Sequence, residues 1–190
     1  PNLITRIYAA DGSEISAFSR ERRIVVGIEQ IPSAMVQAFI STEDDAFYEH
    51  KGLDYPGILR AALANLRSGR VKQGGSTITQ QVARMLFLSG YMRGGVFERS
   101  FERKIREAIV AVQLEKRYTK REILTFYANH VTMGHGAYGV EAGAQLYFAK
   151  SARDVTLEEA ATLAAIVQTP ARLSPYVNPD QALTRRNNYV

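Results

Sequence analysis

The sequence predicts a mainly α-helical fold with a short β-hairpin at its N-terminus. After residue 30, most segments carry apolar residues at the spacing of three and four that is typical of helices. Before it, β-favouring residues alternate around an Asp11-Gly12 pair, which is typical of a hairpin turn and is the only clear β pattern in the chain. We therefore predict a hairpin and linker region over residues 1–30 and a single helical domain over residues 31–190.

The composition restricts the class of partner more than the fold. The chain has 190 residues, 46% of them hydrophobic, which suffices for one domain with its own core. Its formal net charge is +5 and its pI is near 9.5, so we expect an anionic partner: a nucleic acid, an acidic membrane surface or a phosphorylated substrate. It contains no cysteine and therefore gives no indication of a redox compartment.

The two ends of the chain suggest a piece of a longer protein. We find no signal peptide and no run of about 18 apolar residues that could span a bilayer. Pro1 lies within what reads as an ongoing sequence, and residues 185–190 read as an unfinished helix. We therefore expect an excised domain, with any membrane anchor before Pro1 and any second domain after Val190.

The first predicted helix begins at residues 31–33, where Pro32 restricts the backbone and Ser33 is a candidate N-cap. It ends in the most unusual stretch of the chain, residues 41–52, which holds four carboxylates, one histidine and two aromatic residues. Carboxylates this close together repel one another unless a cation or a proton offsets them. The stretch is therefore a candidate site, although acidic residues after a helix are more often simply solvated.

The next helix is predicted over residues 55–66, with Asp54 as its cap and an apolar face packed on the core. That face comprises Ile58, Leu59, Ala62, Leu63 and Leu66. The paired glycines that follow let the backbone approach a ligand closely, and Thr77 with Gln80 has the spacing of a capping box. A helix should therefore begin at this point with its N–H groups available to an anion.

Residues 85–97 are apolar and broken by three glycines, so neither a helical nor a strand period persists. This leaves two alternatives: a loop tucked against the core, or a mobile flap at a lipid surface. In the helix predicted over residues 98–112, apolar side chains occupy one face, and the nearly opposite face carries Arg103, Lys104 and Glu107. Such a charged face is ordinarily solvated and contributes little to stability.

The last third of the chain is predicted to be helical, with Thr119 and Thr156 as caps and Pro170 ending an alanine-rich helix. His130 and His135 could suggest a metal site. They lie five residues apart with no clear third ligand, which is a poor spacing for zinc, so we predict no metal site in the protein.

Five short patterns follow one another between residues 38 and 179. The first, Glu-Asp-x-x-Phe-x-x-His-x-Gly, is met by Glu43, Asp44, Phe47, His50 and Gly52. The others are Gly-Gly-Ser-Thr-Ile-Thr-Gln-Gln at 74–81, Arg-Lys-x-x-Glu at 103–107, a glycine-rich segment at 127–144 and a proline-containing segment at 169–176. In this order they resemble the motifs of the family 51 glycosyltransferases, the peptidoglycan polymerases of class A penicillin-binding proteins and of monofunctional transglycosylases.

The resemblance implies an architecture that periodicity alone does not give. We expect a lysozyme-like larger lobe and a smaller, membrane-facing flap lobe at about residues 80–100, with a cleft between them and a glycosyltransferase domain over residues 31–190. The leader Thr-Arg-Ile-Tyr and the tail Arg-Arg-Asn resemble bifunctional class A proteins. This implies a transpeptidase domain C-terminal to the chain, an anchor helix outside it, and a location on the periplasmic side of the bacterial inner membrane.

The resemblance also implies the reaction: polymerisation of lipid II onto a growing glycan chain, by an inverting transfer that releases undecaprenyl pyrophosphate. Such a transfer needs a general base for a sugar hydroxyl and positive charge on the departing oxygens. By resemblance the catalytic residues are Glu43, as base, and Glu107. The residues implied to bind substrate or to support the cleft are Asp44, Phe47, His50, Ser76, Thr77, Gln80, Gln81, Arg84, Arg103, Lys104 and Asn129, with Arg84 standing where the family usually has lysine.

No cofactor is certain from the sequence, although a divalent cation, Mg or Mn, is compatible with a pyrophosphate leaving group. Two other functions remain open. A lysozyme-type glycoside hydrolase would also use two carboxylates, but it would need no cations for a pyrophosphate. A non-catalytic basic module could bind a membrane or a nucleic acid, but it would have no use for the paired glycines and glutamines. With the resemblance we expect a membrane surface and no nucleic acid as partner.

Overall fold

The computed structural model describes residues 5–18, 21–68, 75–88, 92–93, 96–97 and 100–189, and helices dominate this part of the chain, as predicted. The helices are α1 Ser33–Glu43, α2 Tyr55–Ser68, α3 Ile78–Phe87, α4 Phe101–Arg117, α5 Lys120–His130, α6 Val140–Phe148, α7 Leu157–Ile166, α8 Pro170–Leu173 and α9 Pro179–Tyr189. The strands are β1 Thr5–Tyr8, β2 Glu14–Phe18, β3 Arg22–Arg23, β4 Met92–Arg93, β5 Val96–Phe97, β6 Thr132–Gly134 and β7 Ala137–Tyr138.

The N-terminal hairpin is confirmed. Strands β1 and β2 pair antiparallel, with Thr5 opposite Phe18. In the turn, the Asp11 carboxylate accepts a hydrogen bond from the Ser13 backbone at 2.9 Å, and Gly12 adopts a φ of +84°. The Asp-Gly pair thus makes the turn that the sequence predicts.

A second small sheet was not predicted, so the inference that the N-terminus holds the only β structure is wrong. Strand β7 pairs parallel with β3 and antiparallel with β6. The chain reverses between β6 and β7 through three successive residues with positive φ, Gly134, His135 and Gly136. Strands of two or three residues are too short to show an alternating pattern in the sequence.

The core lies between α1, α7 and the helices around α3. Helix α7 packs against α1 and α9, and α3 packs against both α4 and α5. Alanines 160, 164 and 165 of α7 are buried, and their small side chains let neighbouring helices approach closely. This packing brings the C-terminus of α1, which carries the acidic stretch, to the N-terminus of α3, which follows the paired glycines.

Most of the predicted caps are present. The Thr77, Thr119 and Thr156 side chains each accept a hydrogen bond from a backbone N–H three residues further on, and each is part of a capping box. Asp54 accepts a hydrogen bond from the Gly57 backbone N–H at 3.0 Å. The cap predicted at Ser33 is wrong, because Pro32 takes the N-cap position and no side chain caps α1.

The predicted packing of α2 is also wrong. Its apolar face does not lie on the core: Leu59 is 62% exposed and Leu66 is 80% exposed. Helix α2 is instead buried at Gly57 and Ala61, one turn apart. Periodicity shows which side chains share a face but not what covers that face, and here the small residues make the contact.

The predicted flap lobe at about residues 80–100 lies partly outside the described residues, which omit 89–91, 94–95 and 98–99. In the described part, α3 continues to Phe87, so the helical period persists further than expected. Strands β4 and β5 pair antiparallel. Across the described ranges, no helix is both long enough and apolar enough to cross a bilayer.

Candidate active site

Glu43 is the last residue of α1, and its side chain lies in a groove against α3. Its Oε2 accepts a hydrogen bond of 2.8 Å from the Nε2 of Gln81. Burial raises the pKa of Glu43 above its ordinary value, and the Gln81 hydrogen bond and the charges of Arg185 and Arg84 partly offset this rise. Glu43 is therefore an oriented carboxylate with increased proton affinity, which suits a general base.

Asp44 follows Glu43 and also lines the groove, where its carboxylate is held by hydrogen bonds. Its buried carboxylate accepts a hydrogen bond from the Ile78 backbone N–H at 2.9 Å, at the N-terminus of α3. The Nε2 of His50 lies 3.0 Å from the same carboxylate, and its Nδ1 accepts from the Gly52 backbone N–H at 3.2 Å. Since Nδ1 is an acceptor, Nε2 carries the proton and donates a hydrogen bond to Asp44.

The Phe47 ring is fully buried and packs under the same loop. Lys120 places its Nζ 4.3 Å from the ring centroid and donates hydrogen bonds of 2.7 Å to the His50 carbonyl and to Glu115. Glu115 also accepts a hydrogen bond of 2.6 Å from Thr79 of α3. The sequence analysis missed the supporting roles of Lys120 and Glu115, because nothing in their spacing marks them.

Thr77 and Gln80 are buried and hold the start of α3. Thr77 accepts from the Gln80 backbone N–H at 3.1 Å, and the Gln80 side chain accepts from the Thr77 N–H at 3.1 Å. The Thr77 hydroxyl also donates to the Gly52 carbonyl at 2.7 Å. Both residues thus join α3 to the acidic loop, and of the two only Thr77 also lines the groove.

Three cations surround one buried carboxylate on α4. Glu107 is 1% exposed, and its carboxylate forms ion pairs with the Arg103 guanidinium, with Lys104 Nζ at 3.1 Å and with Arg84 Nε at 3.9 Å. Lys104 also donates a hydrogen bond of 2.7 Å to the Ser76 hydroxyl. Among these four side chains, three cations face one carboxylate, so their formal charges sum to a positive value.

Burial lowers the pKa of Lys104 to about 8, and the charges of Arg84 and Arg103 act in the same direction. The charged face of α4 therefore points inward, whereas Ile109 on the opposite face is 59% exposed. The ordinary interpretation of this face as solvated is wrong.

A groove of about 850 Å³ connects the two charged regions. Glu43, Ser76, Gln81 and Arg84 line it, and Ser76 is the residue that holds Lys104. The structure thus brings the predicted base and Arg84 to one groove, and it places Lys104 one hydrogen bond from the groove wall.

Further groove residues were missed by the sequence analysis. Arg185 of α9 lines the groove and donates from Nε to the Ala165 carbonyl at 3.2 Å. Gln168 and Arg60 also line it, and Arg60 lies 3.9 Å from Asp54. Arg185 belongs to the Arg-Arg-Asn tail, which the sequence analysis used for a family resemblance and as part of a helix, but not as part of the site.

The structure places Asn129 away from the groove. Its side chain is 3% exposed and makes its hydrogen bonds to the backbone: with both the N–H and the carbonyl of Val26, and with the carbonyl of Thr125, each at 2.9 Å. It therefore ties the segment before α1 to α5 and does not reach the groove.

Comparison with known proteins identifies the family to which these motifs belong. Residues 11–190 match the sequence profile of a family described as Transglycosylase. The chain belongs to the transglycosylase family. Similar proteins include penicillin-binding protein 1A of Aquifex aeolicus, 44% identical over 187 residues, and penicillin-binding protein 1A of Escherichia coli, 47% identical over 182 residues.

This transglycosylase chain spans only a part of those relatives. The alignments cover 98% and 96% of the chain, but 25% of the Aquifex protein and 21% of the Escherichia protein. A crystal structure of penicillin-binding protein 1A from Haemophilus influenzae covers 98% of this chain with a TM-score of 0.53 at 24% identity, and 17% of that protein is matched. This structural likeness confirms the mainly α fold.

The predicted family and enzyme class are both confirmed, since a transglycosylase is a glycosyltransferase. The relatives favour neither the hydrolase nor the non-catalytic module.

Proposed function

We propose that this transglycosylase domain polymerises lipid II into glycan strands and releases undecaprenyl pyrophosphate. The observation that carries the proposal is that Glu43, a carboxylate with raised proton affinity, lines the same groove as Arg84 and as Ser76, which binds Lys104. A sugar hydroxyl is a weak acid, and a pyrophosphate is an anionic leaving group. Glu43 would accept the proton of the hydroxyl, and Arg84 and Lys104 would stabilise the leaving pyrophosphate.

In the proposed reaction, the acceptor 4-hydroxyl lies against Glu43. Its oxygen attacks the anomeric carbon of the growing chain from the face opposite the pyrophosphate, and its proton passes to the Glu43 carboxylate. The bond between the anomeric carbon and the pyrophosphate oxygen breaks, and its electron pair leaves with the pyrophosphate. This single displacement inverts the anomeric configuration.

The departing pyrophosphate gains negative charge as its bond breaks. Arg84 lines the groove, and Lys104 reaches it through Ser76, so both are placed to stabilise that charge. We assign Glu107 the role of holding these cations, because its oxygens are occupied by Arg103 and Lys104. Glu107 then acts by positioning rather than by proton transfer.

The same geometry argues against a lysozyme-type hydrolysis. That reaction needs two carboxyl groups that both flank the scissile bond. Glu107 is buried among cations and is absent from the groove wall, so it could not act as an acid opposite Glu43.

Two wider proposals concern the surroundings of the domain. The exposed apolar residues of α2 and α4, among them Leu66, Phe101 and Ile109, support contact with a membrane surface on the periplasmic side. The matched segment covers only 25% and 21% of these relatives, which supports a transpeptidase domain C-terminal to the chain and an anchor outside it.

A divalent cation would have to be bound mainly by the substrate. Among the described residues there is no group of three or more His, Asp or Glu side chains that could hold a metal ion. The described side chains therefore form no metal site of this kind. Every step above relies on side chains of the chain itself.

The proposal is tested by incubating the chain with fluorescent lipid II in detergent and, separately, with purified peptidoglycan. We expect long glycan strands from lipid II and no cleavage of peptidoglycan. Glu43→Gln should abolish the strands, whereas Glu49→Gln, an exposed carboxylate of the same loop, should leave them unchanged. Solubilisation of peptidoglycan without strand synthesis would instead establish a hydrolase.

A further inference from the structure

Lys120 of α5 has one contact for each of the three N–H groups of its ammonium group. It donates hydrogen bonds of 2.7 Å to the His50 carbonyl and of 2.7 Å to Oε1 of Glu115, and its Nζ lies 4.3 Å from the centroid of the Phe47 ring. The Lys120 side chain is 22% exposed and that of Glu115 is 6% exposed. Solvent therefore screens this ion pair much less than a pair on the open surface.

The Oε1 oxygen of Glu115 connects two parts of the fold. It accepts the hydrogen bond from Lys120 and also one of 2.6 Å from the hydroxyl of Thr79, in the first turn of α3. Lys120 in turn binds the His50 carbonyl in the loop that joins α1 to α2. Lys120 and Glu115 therefore hold that loop against α3.

This loop and α3 determine the geometry of Glu43. Glu43 ends α1, directly before the loop, and its carboxylate accepts the 2.8 Å hydrogen bond from Gln81 of α3. The Nε2 of His50 lies 3.0 Å from the carboxylate of Asp44, the residue after Glu43. A displacement of the loop at His50 would thus reach Glu43 through Asp44, and it would change the separation between Glu43 and Gln81.

Any effect of Lys120 on catalysis is indirect. In the described part of the chain, neither Lys120 nor Glu115 lines the groove, so neither contacts a substrate bound there. Their influence has to pass through the loop and α3. A general base works only within hydrogen-bond reach of the proton it accepts. A misplacement of about 1 Å can lower a rate by about 100-fold.

We propose that Lys120, paired with Glu115, is a positioning residue that keeps Glu43 and Gln81 at hydrogen-bonding distance. That Glu43 acts as a base rests on the proposed function, but the effect of Lys120 on the hydrogen bond between Glu43 and Gln81 does not. Loss of the ammonium group should leave substrate binding nearly unchanged, because the groove wall is intact. The chemical step should slow, because Glu43 no longer meets the acceptor hydroxyl at the right distance.

The test compares two variants with a control. Lys120→Met leaves the Glu115 carboxylate without its cation and so lowers stability. The double variant Lys120→Met/Glu115→Gln removes both charges, and replacing a shielded ion pair by uncharged side chains of similar volume is often neutral for stability. The control is Lys116→Met, an exposed lysine in the last turn of α4.

The first measurement is turnover of lipid II in detergent, at a temperature at which circular dichroism shows each variant to be folded. We expect both Lys120 variants to lower kcat about 10- to 100-fold with KM nearly unchanged. Lys116→Met should match wild type. A fold defect alone would not separate kcat from KM in this way in a double variant that is as stable as wild type.

The second measurement does not depend on turnover. The side-chain amide of Gln81, observed by NMR in 15N-labelled protein and assigned by its loss in Gln81→Met, reports the hydrogen bond to Glu43. We expect this signal to move in both Lys120 variants and to stay in place in Lys116→Met. A double variant with the kcat of wild type, with an unmoved Gln81 signal or without a stable fold would overturn the proposal. If wild type makes no glycan, the proposed function fails, and the Gln81 signal alone decides whether Lys120 is a positioning residue.

Discussion

Glu107→Gln should cost this domain both stability and activity. The substitution keeps the shape of the side chain and removes the one negative charge among Arg84, Arg103 and Lys104. Because Glu107 is almost fully buried, water cannot replace the charge that is lost. The cations would then repel one another and turn away from the groove.

The magnitude follows from how far each ion pair is shielded from water. Breaking a buried ion pair by removing one partner costs roughly 3–5 kcal/mol. The Arg103 side chain is only 10% exposed, so its pair counts in full, whereas Lys104 is 41% exposed and contributes little because solvent screens it. For a domain of this size we expect the melting temperature to fall by roughly 6–20 °C, at about 2–4 °C per kcal/mol.

The assay is thermal unfolding followed by circular dichroism, together with polymerisation at a temperature at which the variant is folded. The control is Glu102→Gln on the same helix, whose ion pair with Arg106 is exposed on both sides and should hardly affect the melting temperature. If Glu107→Gln melted within 2 °C or so of wild type and polymerised normally, the view that Glu107 organises the cations would be refuted.

Three further predictions test the rest of the groove. Glu43→Gln should reduce polymerisation by roughly 10²–10⁴-fold. The melting temperature should not fall, since burial already disfavours the charge of Glu43. A melting temperature that fell together with the activity would indicate a structural role for Glu43. Lys104 is protonated below its pKa of about 8, so kcat/KM should decrease above that pH. In Lys104→Arg, whose guanidinium stays charged, this decrease should begin at a higher pH. If kcat/KM decreased at the same pH in wild type and in Lys104→Arg, Lys104 would be excluded as the titrating group. Gly52→Ala should destabilise the fold far more than Gly12→Ala. Both glycines have positive φ, but only a Cβ at Gly52 would meet a backbone oxygen, at 2.9 Å. Equal decreases in the melting temperatures of the two variants would contradict this.

Local patterns in the sequence predicted local structure well. The capping boxes at Thr77, Thr119 and Thr156 and the turn at Gly12 depend on residues a few positions apart, so the sequence contains all the information they need. The family motifs predicted one site for Glu43 and the cations of α4; in the structure Glu43 lines the groove, and Lys104 contacts Ser76 of its wall.

Tertiary relations were harder to predict. The charged face of α4 is buried because Glu107 is matched by cations, including Arg84 of another helix, and a periodic pattern contains no information about such a partner. The motif predicted Asn129 to be a cleft residue, but its side-chain amide is hydrogen-bonded to Val26, a residue 103 positions away. Arg185 reaches the groove only because α9 packs on α7.

Gln81 and Arg84 stand three residues apart on α3, so the group that orients the proposed base and a group proposed to bind the departing anion belong to the same turn of one helix. Any event that tilts this helix by a few degrees would disturb proton acceptance and bond cleavage simultaneously. An inhibitor, a neighbouring domain or a bilayer that acts on α3 would therefore abolish the activity completely. It would not leave an enzyme that releases the pyrophosphate of its donor without extending a strand.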